Sequence, residues 1–165
     1  MRVRKSTLAM VMAAQSASAG AGAGTATGTF TVQATISSAC LVSATTLNFG
    51  TYNPASATAL TGTSTISVYC TSGSPYTTAL NVGSGGGTFA TRTLLNGSNT
   101  LDFNLYRDSA YTQVWGDGSG STYTVAGTGS GLLTANTITV YGQIPISQDK
   151  PVGAYTSLIT VTVSY

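Results

Sequence analysis

Few residues in this chain can do chemistry, and their types restrict what that chemistry could be. The acids are Asp102, Asp108, Asp117 and Asp149, and there is no glutamate and no histidine. A hydrolase needs a base beside a nucleophile, and zinc centres draw on clusters of histidine, cysteine or carboxylate. Neither a triad nor a usual zinc ligand set can be assembled here, so the chain is expected to be no enzyme and to need no metal or cofactor. A calcium site built from aspartates and carbonyls would call for a loop signature that is missing. Asp117, inside Gly116-Asp117-Gly118, reads as a turn former, and Asp108 beside Arg107 as a surface or turn residue. Trp115, the single tryptophan, reads as sheet packing rather than a sugar platform. Asn96-Gly97-Ser98 matches a glycosylation acceptor, but Asn-Gly is also a tight-turn signal, and the turn is preferred.

Covalent chemistry remains for Cys40 and Cys70, and the N-terminus bears on it. Arg2, Arg4 and Lys5 precede the apolar run Leu8–Ala14, and Ala17-Ser18-Ala19 then fits a signal-peptidase site. Ala19-Gly20-Ala21 fits as well. This layout is that of a secretory signal, and its apolar run is too short to span a bilayer. Residues 1–19 are therefore expected to be removed on export. In an exported chain an even cysteine count defaults to a disulfide, with two buried free thiols as the alternative. Closing a loop of about 30 residues stabilises a fold by roughly 3–4 kcal/mol on the chain-entropy model.

Export also changes the charge balance. Arg92, Arg107 and Lys150 are left against the four aspartates, a net charge of −1. So few charges give no electrostatic footprint for nucleic acid or anionic lipid. They also protect poorly against self-association, a liability for a free soluble protein but not for a fibre subunit.

The elements that must carry these residues are strands. Thr, Ser, Gly, Val and Tyr dominate, helix formers are scarce, and apolar residues recur with period two rather than at helical spacing. Thr29–Ser37 alternates Phe30, Val32, Ala34 and Ile36 against polar neighbours. Leu47-Asn48-Phe49 reads as a short strand. Thr63–Cys70 places Ile66, Val68 and Cys70 on one face, and Thr77–Val82 does the same with Leu80 and Val82. Leu101, Phe103 and Leu105 alternate next. Val114-Trp115 and Tyr123–Ala126 read as a hairpin across Gly116–Gly118. Thr137–Ile146 and Gly153–Tyr165 complete the set, the last with Tyr155, Ile159, Val161, Val163 and Tyr165 on one side. Gly-rich turns between many short strands point to one immunoglobulin-like β-sandwich.

The two ends of the chain are complementary. The last strand runs to Tyr165, a strand short of a complete seven-stranded sandwich, which would leave an apolar groove and an unpaired edge. At the other end, a Gly/Ala/Thr-rich leader, Gly20–Gly28, precedes the clearest alternating run, Thr29–Ser37. That run reads either as the first strand of its own sandwich or as a plug for the groove of another copy.

Several ordered pieces resemble the spore coat protein U domain family, which includes the major subunits of archaic chaperone–usher pili. They are Asn104-Leu105-Tyr106-Arg107-Asp108, Val114-Trp115-Gly116-Asp117-Gly118, Val140-Tyr141-Gly142-Gln143-Ile144-Pro145, Pro151-Val152-Gly153-Ala154-Tyr155 and Ile159–Tyr165. Upstream, Cys40, Leu47–Tyr52 and Cys70 fit the same pattern. The resemblance implies an incomplete immunoglobulin-like fold completed by donor-strand exchange, held first by a periplasmic chaperone and polymerised through an outer-membrane usher. Mapped onto this sequence, Phe30, Val32, Ala34 and Ile36 would form the donor face. Ile159, Val161 and Val163 would line part of the acceptor groove, and Cys40–Cys70 would be the disulfide. Residues 20–37 would then be leader and donor strand, and 38–165 the pilin domain. The implied role is that of a shaft subunit of surface fibres used in adhesion and biofilm formation, with identical subunits as partners and no insertion into membrane. A spore-coat component and a self-contained secreted carbohydrate- or surface-binding sandwich are the alternatives.

Overall fold

The computed structural model describes residues 22–165; the expected signal peptide, 1–19, and the start of the leader lie outside the described residues. The chain divides into two units, Met1–Thr35 and Ile36–Tyr165. Within the first, the described residues form no strand, and Phe30 and Val32 are exposed. Among the described residues, all the regular structure belongs to the second.

That unit is all β among the described residues, with eight strands in two sheets. In chain order they are β1 (Cys40–Ala44), β2 (Leu60–Cys70), β3 (Pro75–Leu80), β4 (Arg92–Asn96), β5 (Asn99–Tyr106), β6 (Val125–Thr128), β7 (Asn136–Ile144) and β8 (Val161–Ser164). One sheet has the order β1-β2-β7-β5-β4 and the other β6-β3-β8. Every strand pairing is antiparallel.

Period two decides which side chains become core. On β2, Ser64, Ile66, Val68 and Cys70 are buried while Thr63, Thr65, Ser67 and Tyr69 between them are not. Tyr76, Thr78 and Leu80 on β3 and Val140 and Ile144 on β7 follow the same rule, as do Leu101, Phe103 and Leu105 on β5, where Asn104 is buried in addition. These inner faces meet between the sheets, the arrangement of a β-sandwich. Trp115 completes the core, wholly buried, its indole N–H donating to Thr78 O at 3.2 Å. Its surroundings are those of packing, with no face open to a sugar.

Cys40 and Cys70 lie directly opposite each other in the β1–β2 ladder and are joined by a disulfide, and among the described residues no cysteine is free. At Asn96-Gly97-Ser98 the chain turns as preferred. Gly97, at φ +59°, opens a two-residue turn that pairs Asn96 with Asn99. Positive φ at the first central position is what a type II′ hairpin requires.

Three expected elements differ. Leu47-Asn48-Phe49 is not a strand. Asn48 Oδ1 accepts from Gly50 N–H at 2.8 Å, and Gly50 at φ +74° bends the chain away from any ladder. The hairpin across Gly116–Gly118 is replaced by an isolated parallel bridge between Trp115 and Tyr123. Left-handed Gly118 and Gly120 turn the chain twice, and β6 then pairs with β3. The final strand shrinks to Val161–Ser164, because residues 156–160 change partners. Thr156 exchanges hydrogen bonds with Leu95 of β4, at 2.8 and 3.0 Å, before Thr160 O accepts from Asn81 N–H. Tyr165 is exposed rather than part of the inward face. Thr29–Ser37, read either as a first strand or as a plug for another copy, lies in no ladder of its own chain.

Candidate functional site

An open groove of about 940 Å³ lies in the second unit. Native interiors carry few voids larger than a water molecule. Its floor is made of core side chains, among them Ile66, Leu80, Phe103, Val140 and Ile144. One wall is residues 44–52, the chain that leaves β1; the other is residues 150–159 with Val161.

A pair of glycines seats the first wall. Gly62 of β2 and Gly142 of β7 face each other in register. Leu47 and Phe49 lie across them: a Cβ built on Gly142 would stand 2.7 Å from Phe49 Cζ and 2.8 Å from Leu47 Cδ1. Glycine inside a strand permits such close approach. Phe49 also meets Phe103 edge-on, ring centroids 6.3 Å apart. The far end of this wall is tied down by Tyr52, whose hydroxyl donates to Pro145 O at 2.9 Å and accepts from Gln148 N–H at 3.0 Å. Gln148 in turn acts as a substitute strand for β5: its amide accepts from Asp102 N–H at 2.7 Å and donates to Asp102 O at 2.9 Å.

The second wall contains a free edge. β8 is the last strand of its sheet, paired only with β3. Thr160 O accepts from Asn81 N–H, and Leu80 N–H points the other way, to Gly116 O. Antiparallel ladders alternate, so Thr162 and Ser164 direct their backbone groups at β3, while Val161 and Val163 direct theirs to the open side. The side chains of Ile159, Val161 and Val163 pack against the core, whereas Thr160, Thr162 and Ser164 are exposed. The structure thus puts Ile159 and Val161 on the groove and Val163 one step further along the same edge. Across the groove, among the described residues, no backbone–backbone hydrogen bond is made by residues 46–52. The groove therefore offers an apolar floor, the open edge of β8 and a facing wall whose peptide groups pair with no other backbone.

On the expected donor face, Phe30, Val32 and Ile36 are 87%, 81% and 85% exposed. Ala34 is exposed as well. No charged residue lies between Gly22 and Ser37.

The charged residues serve the frame. Arg92 is wholly buried with no carboxylate beside it. Its guanidinium donates to Asn81 O (3.1 Å), Asn104 Oδ1 (2.6 Å) and Trp115 O (2.6 Å), and stands 5.2 Å from the Phe89 ring centre. Burial lowers its pKa to about 10. Asp117 accepts from Ser119 Oγ and Ser119 N–H, which lower its pKa. At Asp108 desolvation pushes the pKa up, but the Thr112 hydroxyl and the Gln113 and Thr112 N–H groups outweigh it and the net shift is downward. Both aspartates are turn formers, and among the described residues no group of three metal-ligating side chains occurs.

Sequence reasoning named Ile159 and Val161 but overlooked the opposite wall, Leu47, Phe49 and Tyr52, as part of the site. The signal was present at Gly142, a glycine at an inward position of a strong strand pattern.

Comparison with known proteins agrees with this architecture. Residues 26–162 match the family model described as Spore Coat Protein U domain. The chain is 34% identical over 150 residues to Protein U of Myxococcus xanthus, covering 80% of each. Its fold is similar to a chain in the crystal structure of the CsuC–CsuE chaperone–tip adhesion subunit pre-assembly complex from archaic chaperone-usher Csu pili of Acinetobacter baumannii. The TM-score is 0.54 at 20% identity, over 79% of this chain and 41% of that one. At that identity the likeness is one of fold, an immunoglobulin-like sandwich.

Proposed function

Because the chain belongs to the Spore Coat Protein U domain family, we propose that it is an exported structural subunit that polymerises head to tail, as the shaft of a surface fibre of the archaic chaperone–usher kind. The observation that carries this reading is the groove beside the free edge of β8, read together with the exposed alternating face of residues 29–37. Residues 29–37 of one copy fill the groove of the next. Peptide groups of Val161 and Val163 supply the ladder, and Phe30, Val32, Ala34 and Ile36 supply the missing core. Before assembly the same groove is covered by a periplasmic chaperone, and an outer-membrane usher adds subunits in order. The likeness to a chain in a chaperone–subunit complex supports the chaperone as a partner. Adhesion and biofilm formation are the uses such a fibre serves.

The test is removal of residues 20–37. Polymers that resist boiling in detergent should vanish, while a monomer remains that is recovered with its chaperone. A truncated chain that folds alone and still polymerises refutes the reading. Deposition in a spore coat is the second reading, favoured by the family's description. It keeps the strand exchange and changes only where the polymer is laid down.

A further inference from the structure

Two exposed apolar features lie at opposite ends of the sandwich. The first is Leu132-Leu133 in the turn between β6 and β7, where Leu133 is 98% exposed. This turn is tied to the disulfide end, since Gly131 N–H donates to Cys70 O at 2.9 Å. The chain leading from the donor residues enters the sandwich at the same place, Ala39 O accepting from Thr71 N–H at 2.9 Å. The second is Val152, 99% exposed, with Leu158, 75% exposed, on the groove wall.

Strand register places them at opposite ends. Cys40 opposite Cys70 and Val68 opposite Asn136 mark one end of the larger sheet, and Leu60 opposite Ile144 marks the other. β5 runs antiparallel to β7, so the Asn96–Asn99 turn before it lies at the Ile144 end, and Gly153 packs on Asn96 there. Thr77 opposite Ser164 and Leu80 opposite Val161 show that β8 also begins at that end.

Chain length then brings the two features together. Three residues separate Ile36 from Cys40, a reach of at most about 14 Å. With Ile36 seated in a neighbour's groove, the mouth of that groove cannot stand far from the Leu132-Leu133 turn. A donor running antiparallel to β8 enters beside residues 152–158. Resting on the strand-exchange reading above, we infer that Leu132-Leu133 of one copy packs on Val152 and Leu158 of the next. This forms a second, heterologous contact that sets the angle between successive subunits.

The test replaces Leu133 by the photo-crosslinking residue benzoylphenylalanine in the full chain and illuminates assembled polymer. The expected product joins position 133 to the 150–158 peptide of another copy, identified by mass spectrometry. A normal boiling-resistant ladder with crosslinks elsewhere, or with none, overturns this contact and leaves strand exchange standing. Absence of the ladder from the wild-type protein overturns both. A second variant, Leu132→Ser with Leu133→Ser, should keep its ladder while the spread of inter-subunit angles in electron micrographs at least doubles. An unchanged spread also overturns the contact.

Discussion

Replacing Val32 by aspartate should abolish polymerisation without weakening the subunit. Val32 is 81% exposed, so Val32→Asp in an isolated, chaperone-released or self-standing subunit falls in the class of surface changes, within about ±0.5 kcal/mol. In the proposed fibre the same position would face the neighbour's groove, whose floor is apolar with residues such as Phe103 and Ile144. Loss of valine burial costs about 1.5–3 kcal/mol, and desolvating a carboxylate without a partner adds several more. A total above about 4 kcal/mol weakens each junction by roughly a thousandfold or more, at 1.4 kcal/mol per factor of ten. Gln33→Asp supplies the control, since it adds the same charge on the alternate face of the strand. The assay is the boiling-resistant ladder on a denaturing gel, with circular dichroism melts of the monomers alongside. Val32→Asp should give no ladder and an unshifted melt, and Gln33→Asp should give a ladder. Equal loss in both variants would refute the alternating-face argument, because charge rather than burial would then be the cause.

Three further outcomes follow from the frame. Gly142→Ala places a methyl group against Leu47 and Phe49; it should cost about 1–3 kcal/mol in urea unfolding and slow assembly by displacing the groove wall. Arg92→Met keeps the volume but leaves the carbonyls of Trp115 and Asn81 without donors, so a loss of roughly 2–4 kcal/mol is expected; an unchanged urea midpoint would show those carbonyls to be satisfied otherwise. Asp108 and Asp117 have folded pKa values below their ordinary ones, so the stability they contribute is complete above the ordinary carboxylate pKa and is lost as pH falls through the lowered values. The urea midpoint should fall on acidification from about pH 5 toward 2, and Asp108→Asn with Asp117→Asn should flatten that slope.

The strongest parts of the fold were legible because burial alone dictates them. Ile66, Val68 and Cys70, then Leu101, Phe103 and Leu105, alternate cleanly, and each set became the inner face of a strand. The misreadings share a different cause, backbone hydrogen bonds whose partners lie far away in sequence. Residues 153–160 have the period of a strand, but Thr156 bonds to β4 and Thr160 to Asn81, so only Val161–Ser164 joins a ladder. Leu47 and Phe49 alternate as a strand would, yet the Asn48 side chain and Gly50 turn them into a wall laid over two glycines. β4 was missed altogether, since Arg92 at its head is a charge in sequence and a core residue in the fold. Half of the candidate site could thus be named from composition and period. The other half depends on which strands bring Gly62 and Gly142 together, and that is a matter of register.

Electron microscopy of the purified polymer at side-chain resolution would show whether one copy's residues 29–37 complete another copy's sandwich. Each subunit should show a strand lying between residues 47–52 and the free edge of β8, carrying Phe30, Val32, Ala34 and Ile36 toward the floor and continuing into the neighbour's Cys40. A groove left open, or one filled by residues 29–37 of its own chain, would contradict strand exchange between copies.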